Sequence, residues 1–220
     1  MAKQRVSKPA RTSPPVRVSY AEQIFVAKAG EKGGALKYGV TILVDKKNAE
    51  QMAWLKQIAT DATEALAEYW PDPATRPRIP VIGELASVIK DGDKTCNKQG
   101  IPYKEKNPEY IGNYFLRVYN TTKPTAVDRN NSAIIDPSEI YSGCYCRVNI
   151  NCYTFDGETN KGVTAGLNGV QKWAEGERLS GGAPSLEAMF GGAVPAEADP
   201  FANADPFAGA ATNVDDALKM

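Results

Sequence analysis

The stretch "CYCRVNINCYTF", residues 144–155, alternates between two kinds of side chain. One set is small or apolar and consists of Cys144, Cys146, Val148, Ile150, Cys152 and Thr154. The other is aromatic, cationic or amide-bearing and consists of Tyr145, Arg147, Asn149, Asn151, Tyr153 and Phe155. Because successive side chains of a strand point to opposite faces, we expect the first set in a core and the second at the surface. Its length is typical of a strand that bends around a small barrel.

The rest of the chain predicts further strands and one helix. Strand patterns, bounded by turn residues, cover 16–27, 36–45, 85–90, 112–120 and 162–173. Residues 46–70 carry apolar side chains at three- and four-residue spacing before "PDP" at 71–73, which predicts an amphipathic helix. Several strands with a single helix favour a mainly β fold, a small barrel or a sandwich, over alternating βαβ units.

Charge is distributed unevenly, although 26 Lys and Arg residues balance 26 Asp and Glu residues. The first 17 residues contain Lys3, Arg5, Lys8, Arg11 and Arg17 and no acid. The stretch 192–220 carries five acids against one lysine and is rich in Ala, Gly and Pro, so it cannot bury a core. We therefore expect a flexible basic arm over 1–15, a folded domain over 16–182 and a disordered acidic tail over 183–220.

Several classes of protein are disfavoured by the sequence. No apolar run approaches the roughly 18 to 20 residues that span a bilayer, and the N-terminus lacks an apolar signal region, which indicates a cytoplasmic protein. No nucleophile–base pair, P-loop or dinucleotide fingerprint is present, so we expect neither an enzyme nor a cofactor. The four cysteines, without any histidine, are better interpreted as small apolar residues than as a metal site or disulfides.

The polar side of 144–155 suggests contact with nucleic acid. Tyrosines can stack on bases, at about 1–3 kcal/mol per base, while arginine pairs with phosphate and asparagine donates hydrogen bonds. The strand "NYFLRVY" repeats this pattern with Phe115, Arg117 and Tyr119 on one side. The alternative is that such a face packs under a loop, with its arginine paired at the rim.

Two further groups of residues bear on function. Lys104 and Lys106, in the lysine- and tyrosine-containing loop 90–110, and Lys123 are candidate phosphate contacts, although four acids dilute the charge of that loop. Asp91 and Asp93, in "DGD", leave a metal-dependent nuclease open, but two acids beside a glycine are more typical of a turn.

The segment "IIDPSEIYSGCYCRVNINCYTFDGETNKGVTAGLNGVQKWAEGERLSGG", residues 134–182, resembles a family of bacteriophage single-stranded DNA-binding proteins, formerly a domain of unknown function. With "KPTAVDRN" at 123–130 the resemblance spans about residues 12–182. It implies an oligonucleotide/oligosaccharide-binding (OB) barrel and sequence-tolerant binding of single strands during phage replication or recombination in the bacterial cytoplasm. It assigns DNA contacts to Tyr145, Arg147, Asn151 and Tyr153.

The resemblance also implies an acidic C-terminal tail that contacts phage or host replication proteins. Here the acids are sparse and "DPF" occurs twice, so Phe201 and Phe207 are the candidate partner contacts. A strand-annealing factor that self-associates on DNA and a structural virion protein are the remaining alternatives.

Overall fold

The chain forms a closed five-stranded barrel in the computed structural model, which describes residues 4–29, 34–78, 80–83, 87–157 and 160–179. The strands, in chain order, are β1 (Arg11–Thr12), β2 (Val16–Ser19), β3 (Tyr38–Asp45), β4 (Lys90–Asp91), β5 (Asn113–Asn120), β6 (Thr125–Val127), β7 (Tyr145–Asp156) and β8 (Lys161–Ala174). Strands β7, β2, β3 and β5 pair antiparallel in that order, β5 pairs parallel with β8, and β8 returns to β7. The predicted mainly β, OB-fold-like barrel with one amphipathic helix is confirmed.

Strand β7 supplies much of the barrel core. The apolar set of the alternating stretch is fully or almost fully buried: Cys144, Cys146, Val148, Ile150, Cys152 and Thr154. The first five of these pack with Val16 and Val18 of β2 and with Ile42 of β3. Cys144, Cys146 and Cys152 therefore serve as small core side chains, as predicted, and they and the partly exposed Cys96 are free thiols.

The main helix, α1 (Ala49–Tyr69), closes one side of the core. Asn48 caps it by accepting hydrogen bonds from the backbone N–H groups of Glu50 and Gln51, which satisfies donors that a helix start leaves unpaired. Its apolar stripe, which includes Leu55 and Ile58, packs against the barrel. No helix among the described residues is long and apolar enough to cross a membrane.

Two predicted strands are shorter than expected. The strand predicted over 16–27 ends at Ser19, because Tyr20 adopts a left-handed backbone with φ of 55° and a 3₁₀ turn, Ala21–Ile24, follows. At 85–90, residues 84–86 lie outside the described residues, and β4 begins only at Lys90. A second, single-turn helix, α2 (Tyr103–Lys106), was not predicted.

Residues 4–15, where the sequence predicts a flexible basic arm, pair with strand β7. The backbone N–H of Lys8 donates to the carbonyl of Cys152 at 2.8 Å and that of Ser13 to Val148 at 2.9 Å, while β1 pairs with β7. Strand β7 is longer than β2, so its remaining edge offers unpaired backbone groups that the N-terminal segment satisfies.

Charge pairing also holds this segment against α1. Lys8 Nζ lies 3.3 Å from Glu64 and 3.1 Å from Glu68. The Arg11 guanidinium forms an ion pair with the buried carboxylate of Asp61. Two of the basic residues counted in the N-terminal segment are thus neutralised within the molecule.

Candidate nucleic-acid interface

The polar side of β7 faces outward, as the alternation predicts. Tyr145 and Phe155, at its ends, are 39% and 37% exposed, and the residues between them are half-buried. Strand β8 lies beside it, and its outward positions include Gly166 opposite Asn151. We call the outward side of these two strands the β7–β8 face.

A cleft of about 470 Å³ opens at one end of the β7–β8 face. It is lined by Arg5, Lys37, Tyr119, Asn120, Thr121, Asn151, Tyr153, Gly166 and Asn168. Two of its tyrosine rings lie over glycines of neighbouring strands. A Cβ on Gly39 would stand 2.3 Å from the Tyr119 ring, and one on Gly166 would stand 3.0 Å from the Tyr153 ring. The missing side chains let both rings lie close to the barrel surface.

The N-terminal segment contributes side chains to the same cleft. The guanidinium of Arg5 lies 4.4 Å from the centre of the Tyr153 ring. Asn151 donates to the Ser7 hydroxyl at 2.9 Å, and Asn149 donates to the Thr12 hydroxyl at 2.8 Å. Because the segment was expected to be mobile, Arg5 was not predicted as a residue of this face.

The other end of the β7–β8 face carries Trp173. The guanidinium of Arg129 lies 4.4 Å from the indole centroid and that of Arg147 lies 5.5 Å from it. Arg147 also donates to Gln171 Oε1 at 3.3 Å. Neither Arg129 nor Trp173 was predicted as a site residue.

The predicted surface on β5 is mostly covered, which corrects the assignment of Phe115. Its ring is fully buried and stacks on Tyr110, with centroids 4.4 Å apart and planes inclined by 17°. Residues 92–112, which we call the cover segment, pack on the outward side of β3 and β5. Arg117 also lies under the cover segment, 4.7 Å from the centre of the Tyr103 ring. Because the Phe115 ring is buried, it is not available for stacking on a base.

Comparison with known proteins identifies the chain. The family described as Enterobacter phage Enc34, ssDNA-binding protein, matches residues 10–201. The chain belongs to this family. The predicted resemblance is therefore confirmed, and the match is longer than the expected 12–182. It shares 27% identity over 168 residues, 76% of its own length and 84% of the relative's, with "Putative protein p50" of Acyrthosiphon pisum secondary endosymbiont phage 1.

Solved structures share the fold of this Enc34-family chain. The single-stranded DNA-binding protein from bacteriophage Enc34, in complex with ssDNA, matches with a TM-score of 0.56 and 22% identity, covering 77% of this chain and 88% of that one. Its C-terminal truncation matches with a TM-score of 0.59 and 22% identity, covering 81% and 99%. The gp2.5 protein encoded by bacteriophage T7 matches with a TM-score of 0.50 and 15% identity, covering 84% and 95%.

The three predicted lysines are exposed. In this family member Lys104 and Lys106 are exposed on α2, within the cover segment. Lys123 is exposed, with its Nζ 5.9 Å from the Phe25 ring centroid. None of the three lines the cleft that contains Tyr119 and Tyr153.

The two aspartates of "DGD" hold the cover segment to the barrel. Lys46 Nζ lies 2.5 Å from Asp91 and 2.6 Å from Asp93, and the Gly112 N–H donates to Asp93 at 3.0 Å. The Lys46 hydrogen bond, followed by the Gly112 amide, lowers the pKa of Asp93. Among the described residues, no cluster of three or more His, Cys, Asp or Glu side chains could hold a metal ion. Both aspartates on which the nuclease alternative rests are paired with Lys46.

The predicted partner contacts in the tail, Phe201 and Phe207, lie outside the described residues, as does the whole tail predicted over 183–220. Their role stays a prediction from the sequence.

Proposed function

We propose that this protein is a non-enzymatic, sequence-tolerant single-stranded DNA-binding protein that acts in phage DNA replication and recombination. Its family membership supports the class of ligand. The observation that carries the proposal is the pair of tyrosine rings, Tyr119 and Tyr153, placed over glycines in a cleft with Arg5 and Lys37. Stacking on a ring needs no particular base edge, so such a cleft accepts any sequence.

Phosphates are neutralised locally in this mechanism. The chain has no net charge by count, so attraction arises from the cations around the β7–β8 face, Arg5, Lys37 and Arg147, and not from the whole surface. Each phosphate contact releases counterions, and the affinity therefore falls as salt rises. The exposed residues Lys104, Lys106 and Lys123 add further contacts where the strand leaves this face.

The test replaces the two rings. We expect Tyr119→Ala with Tyr153→Ala to weaken binding of oligothymidylate by roughly tenfold or more, since each stacked base contributes about 1–3 kcal/mol. Fluorescence anisotropy with a labelled oligonucleotide measures this loss, and circular dichroism checks that the barrel is intact. Phenylalanine at both positions should retain binding, because the ring and not the hydroxyl makes the stack.

Tyr20→Ala provides the matched control, because Tyr20 is 43% exposed. Its hydroxyl donates a hydrogen bond to Asn107 of the cover segment at 2.9 Å. It removes an exposed ring away from the cleft and should leave affinity unchanged. Unchanged affinity of a folded Tyr119/Tyr153 double variant would exclude this cleft as the stacking surface.

We further propose that the acidic tail competes with DNA for the cationic face. Residues 192–220 carry five acids against one lysine, and tethering gives them a high local concentration near the domain. Deleting 192–220 should tighten DNA binding at low salt and change it little at high salt, where the competition is screened. Equal affinity of the full-length and truncated proteins at low salt would contradict this competition. Phe201 and Phe207 are the proposed contacts to replication proteins.

A further inference from the structure

The two ends of the β7–β8 face repeat one arrangement. At one end a guanidinium lies 4.4 Å above the Tyr153 ring, and at the other end a guanidinium lies 4.4 Å above the Trp173 indole. In each pair the arginine comes from a segment outside β7 and β8, Arg5 from the N-terminal segment and Arg129 from the turn after β6. At this distance the guanidinium rests directly on the ring, so a base stacks on the ring only when the arginine moves aside, and the arginine is then placed to pair with a phosphate.

The surroundings of Trp173 form a cleft of their own. It has a volume of about 470 Å³ and is lined by Thr12, Ser13, Pro14, Pro15, Glu50, Ala53, Trp54, Gln57, Arg147 and Trp173. Neither Arg129 nor Arg147 forms an ion pair with a carboxylate within the described part of the chain. Among the described residues, the buried indole N–H of Trp54, in the wall of this cleft, has no hydrogen-bond acceptor. The cleft presents one cation, Arg147, and one carboxylate, Glu50, and the Arg129 guanidinium stands over the same indole.

The surface between the two ends can accept a polyanion. No acidic residue occurs from Tyr145 to Phe155 or from Gly162 to Ala174. The outward side chains along the way are amides, which include Asn149, hydrogen-bonded by Asn168 at 3.0 Å. Six residue steps along an extended strand take the chain from Arg147 to Tyr153, a distance on the order of 20 Å. A phosphate backbone could follow this path without meeting a carboxylate.

We propose that Trp173, Arg129 and Arg147 form a second binding site for single-stranded DNA, in which one base stacks on the indole in place of the Arg129 guanidinium and the two arginines contact phosphates. One strand then contacts both ends of the β7–β8 face. This rests on the proposed function and adds to it a site that the Tyr119–Tyr153 cleft does not contain.

The test is a length series. Oligothymidylates of about 4 to about 16 nucleotides, the range of site sizes for one OB fold, are titrated against the full chain and against an Arg129→Gln, Trp173→Leu variant. The wild type should gain affinity steeply once an oligonucleotide reaches both sites. The variant should bind the longest oligonucleotides roughly tenfold more weakly and lose that steep gain, while the shortest ones bind almost as in the wild type.

Controls separate this from general charge loss and from misfolding. Lys56→Gln removes one positive charge from the exposed side of α1 and should leave the length series unchanged. Arg129→Gln alone changes only an exposed turn residue. If the double variant is unstable, this single variant takes its place in the length series. A folded variant that matches the wild type at every length, while Tyr119/Tyr153 variants lose affinity, would overturn the second site alone. Absence of any wild-type binding would overturn the proposed function.

Tryptophan fluorescence gives an independent readout. Trp54 and Trp70 are 5% and 7% exposed, whereas Trp173 is half-buried on the face, so quenching by oligothymidylate should come mainly from Trp173. Trp173→Phe should abolish most of the quenching and retain most of the affinity, because phenylalanine still stacks. Quenching that persists in Trp173→Phe would contradict base contact at this indole.

Discussion

The outward sides of β5 and β7 carry the same kind of sequence and have different surroundings. On both strands, the side that faces away from the core carries aromatic side chains and an arginine. On β7 these side chains remain at the surface, beside the glycines of β8 and the hydroxyl groups of the N-terminal segment. On β5 the cover segment lies over them, and only Tyr119, at the far end, is 36% exposed.

This difference shows what strand alternation can and cannot establish. Period-two patterning fixes which side of a strand leaves the core. Whether that side meets water, a ligand or another part of the same chain depends on connections distant in sequence. For β5 the deciding contact is the stacking of Phe115 on Tyr110, which sits at the end of the cover segment.

The strongest contrast should appear in stability. Phe115→Ala removes a fully buried ring and should lower the free energy of unfolding by about 3–5 kcal/mol, while Tyr145→Ala, at an exposed position, should lower it by about 1 kcal/mol or less. Urea denaturation followed by circular dichroism measures both. The fraction of Phe115→Ala that is folded should bind DNA normally.

A milder replacement of Phe115 allows DNA binding to be compared without global unfolding. Phe115→Leu keeps most of the buried volume, and its effect on stability should be smaller. If it weakened DNA binding without loss of stability, Phe115 would be a DNA contact after all, and the distinction between the two strands would fail.

A smaller effect is expected where the N-terminal segment is held to α1. Asp61→Asn breaks an ion pair whose carboxylate is buried but whose arginine is 36% exposed, so we expect a loss of about 1–2 kcal/mol. Hydrogen exchange at the amides of Lys8 and Ser13 should accelerate, since both pair with β7. Glu64→Gln, at an acid that is 58% exposed and shares Lys8 with Glu68, is the comparison variant and should change both quantities much less. Equal exchange rates in the two variants would show that backbone pairing alone holds the segment.

The smallest effect concerns pH and the cover segment. Because the pKa of Asp93 is lowered by Lys46 from 3.8, the pair contributes its full stabilisation above about pH 4 and loses it as the pH falls through the lower folded value. Asp93→Asn should therefore be less stable than the wild type at neutral pH, with a difference that shrinks on acidification. Urea midpoints at about pH 7 and about pH 3 test the sign. A difference that grew towards low pH would contradict it.

The fold could be predicted from local patterns because its signals are local. The alternation in 144–155, the helical stripe over 46–70 and the turns between strands each depend on a few neighbouring residues. The predicted outward orientation of Arg147 and Tyr153 follows from the same patterns. By contrast, the N-terminal segment contains prolines and no periodicity, and its structure comes from the free edge of β7, far away in sequence.

The candidate site was predicted only in part, for the same reason. Tyr119 gains its place in the cleft from Gly39 on the neighbouring strand, and Tyr153 gains its place from Gly166. A glycine facing an aromatic residue across a strand pair is a usable signal, but only once the register is known. Arg5 and Arg129 reach the face from segments whose paths no local pattern specifies.

Because three of the four cysteines are buried, the folded protein presents a single accessible thiol for labelling. Cys144, Cys146 and Cys152 lie in the core, and burial raises the pKa of the Cys152 thiol to about 12, whereas Cys96 is partly exposed on the cover segment. A maleimide dye should therefore attach once per native molecule, at Cys96, without any engineered substitution. The three buried thiols become reactive only when the barrel opens, so the rate at which they react with maleimide reports the opening of the barrel.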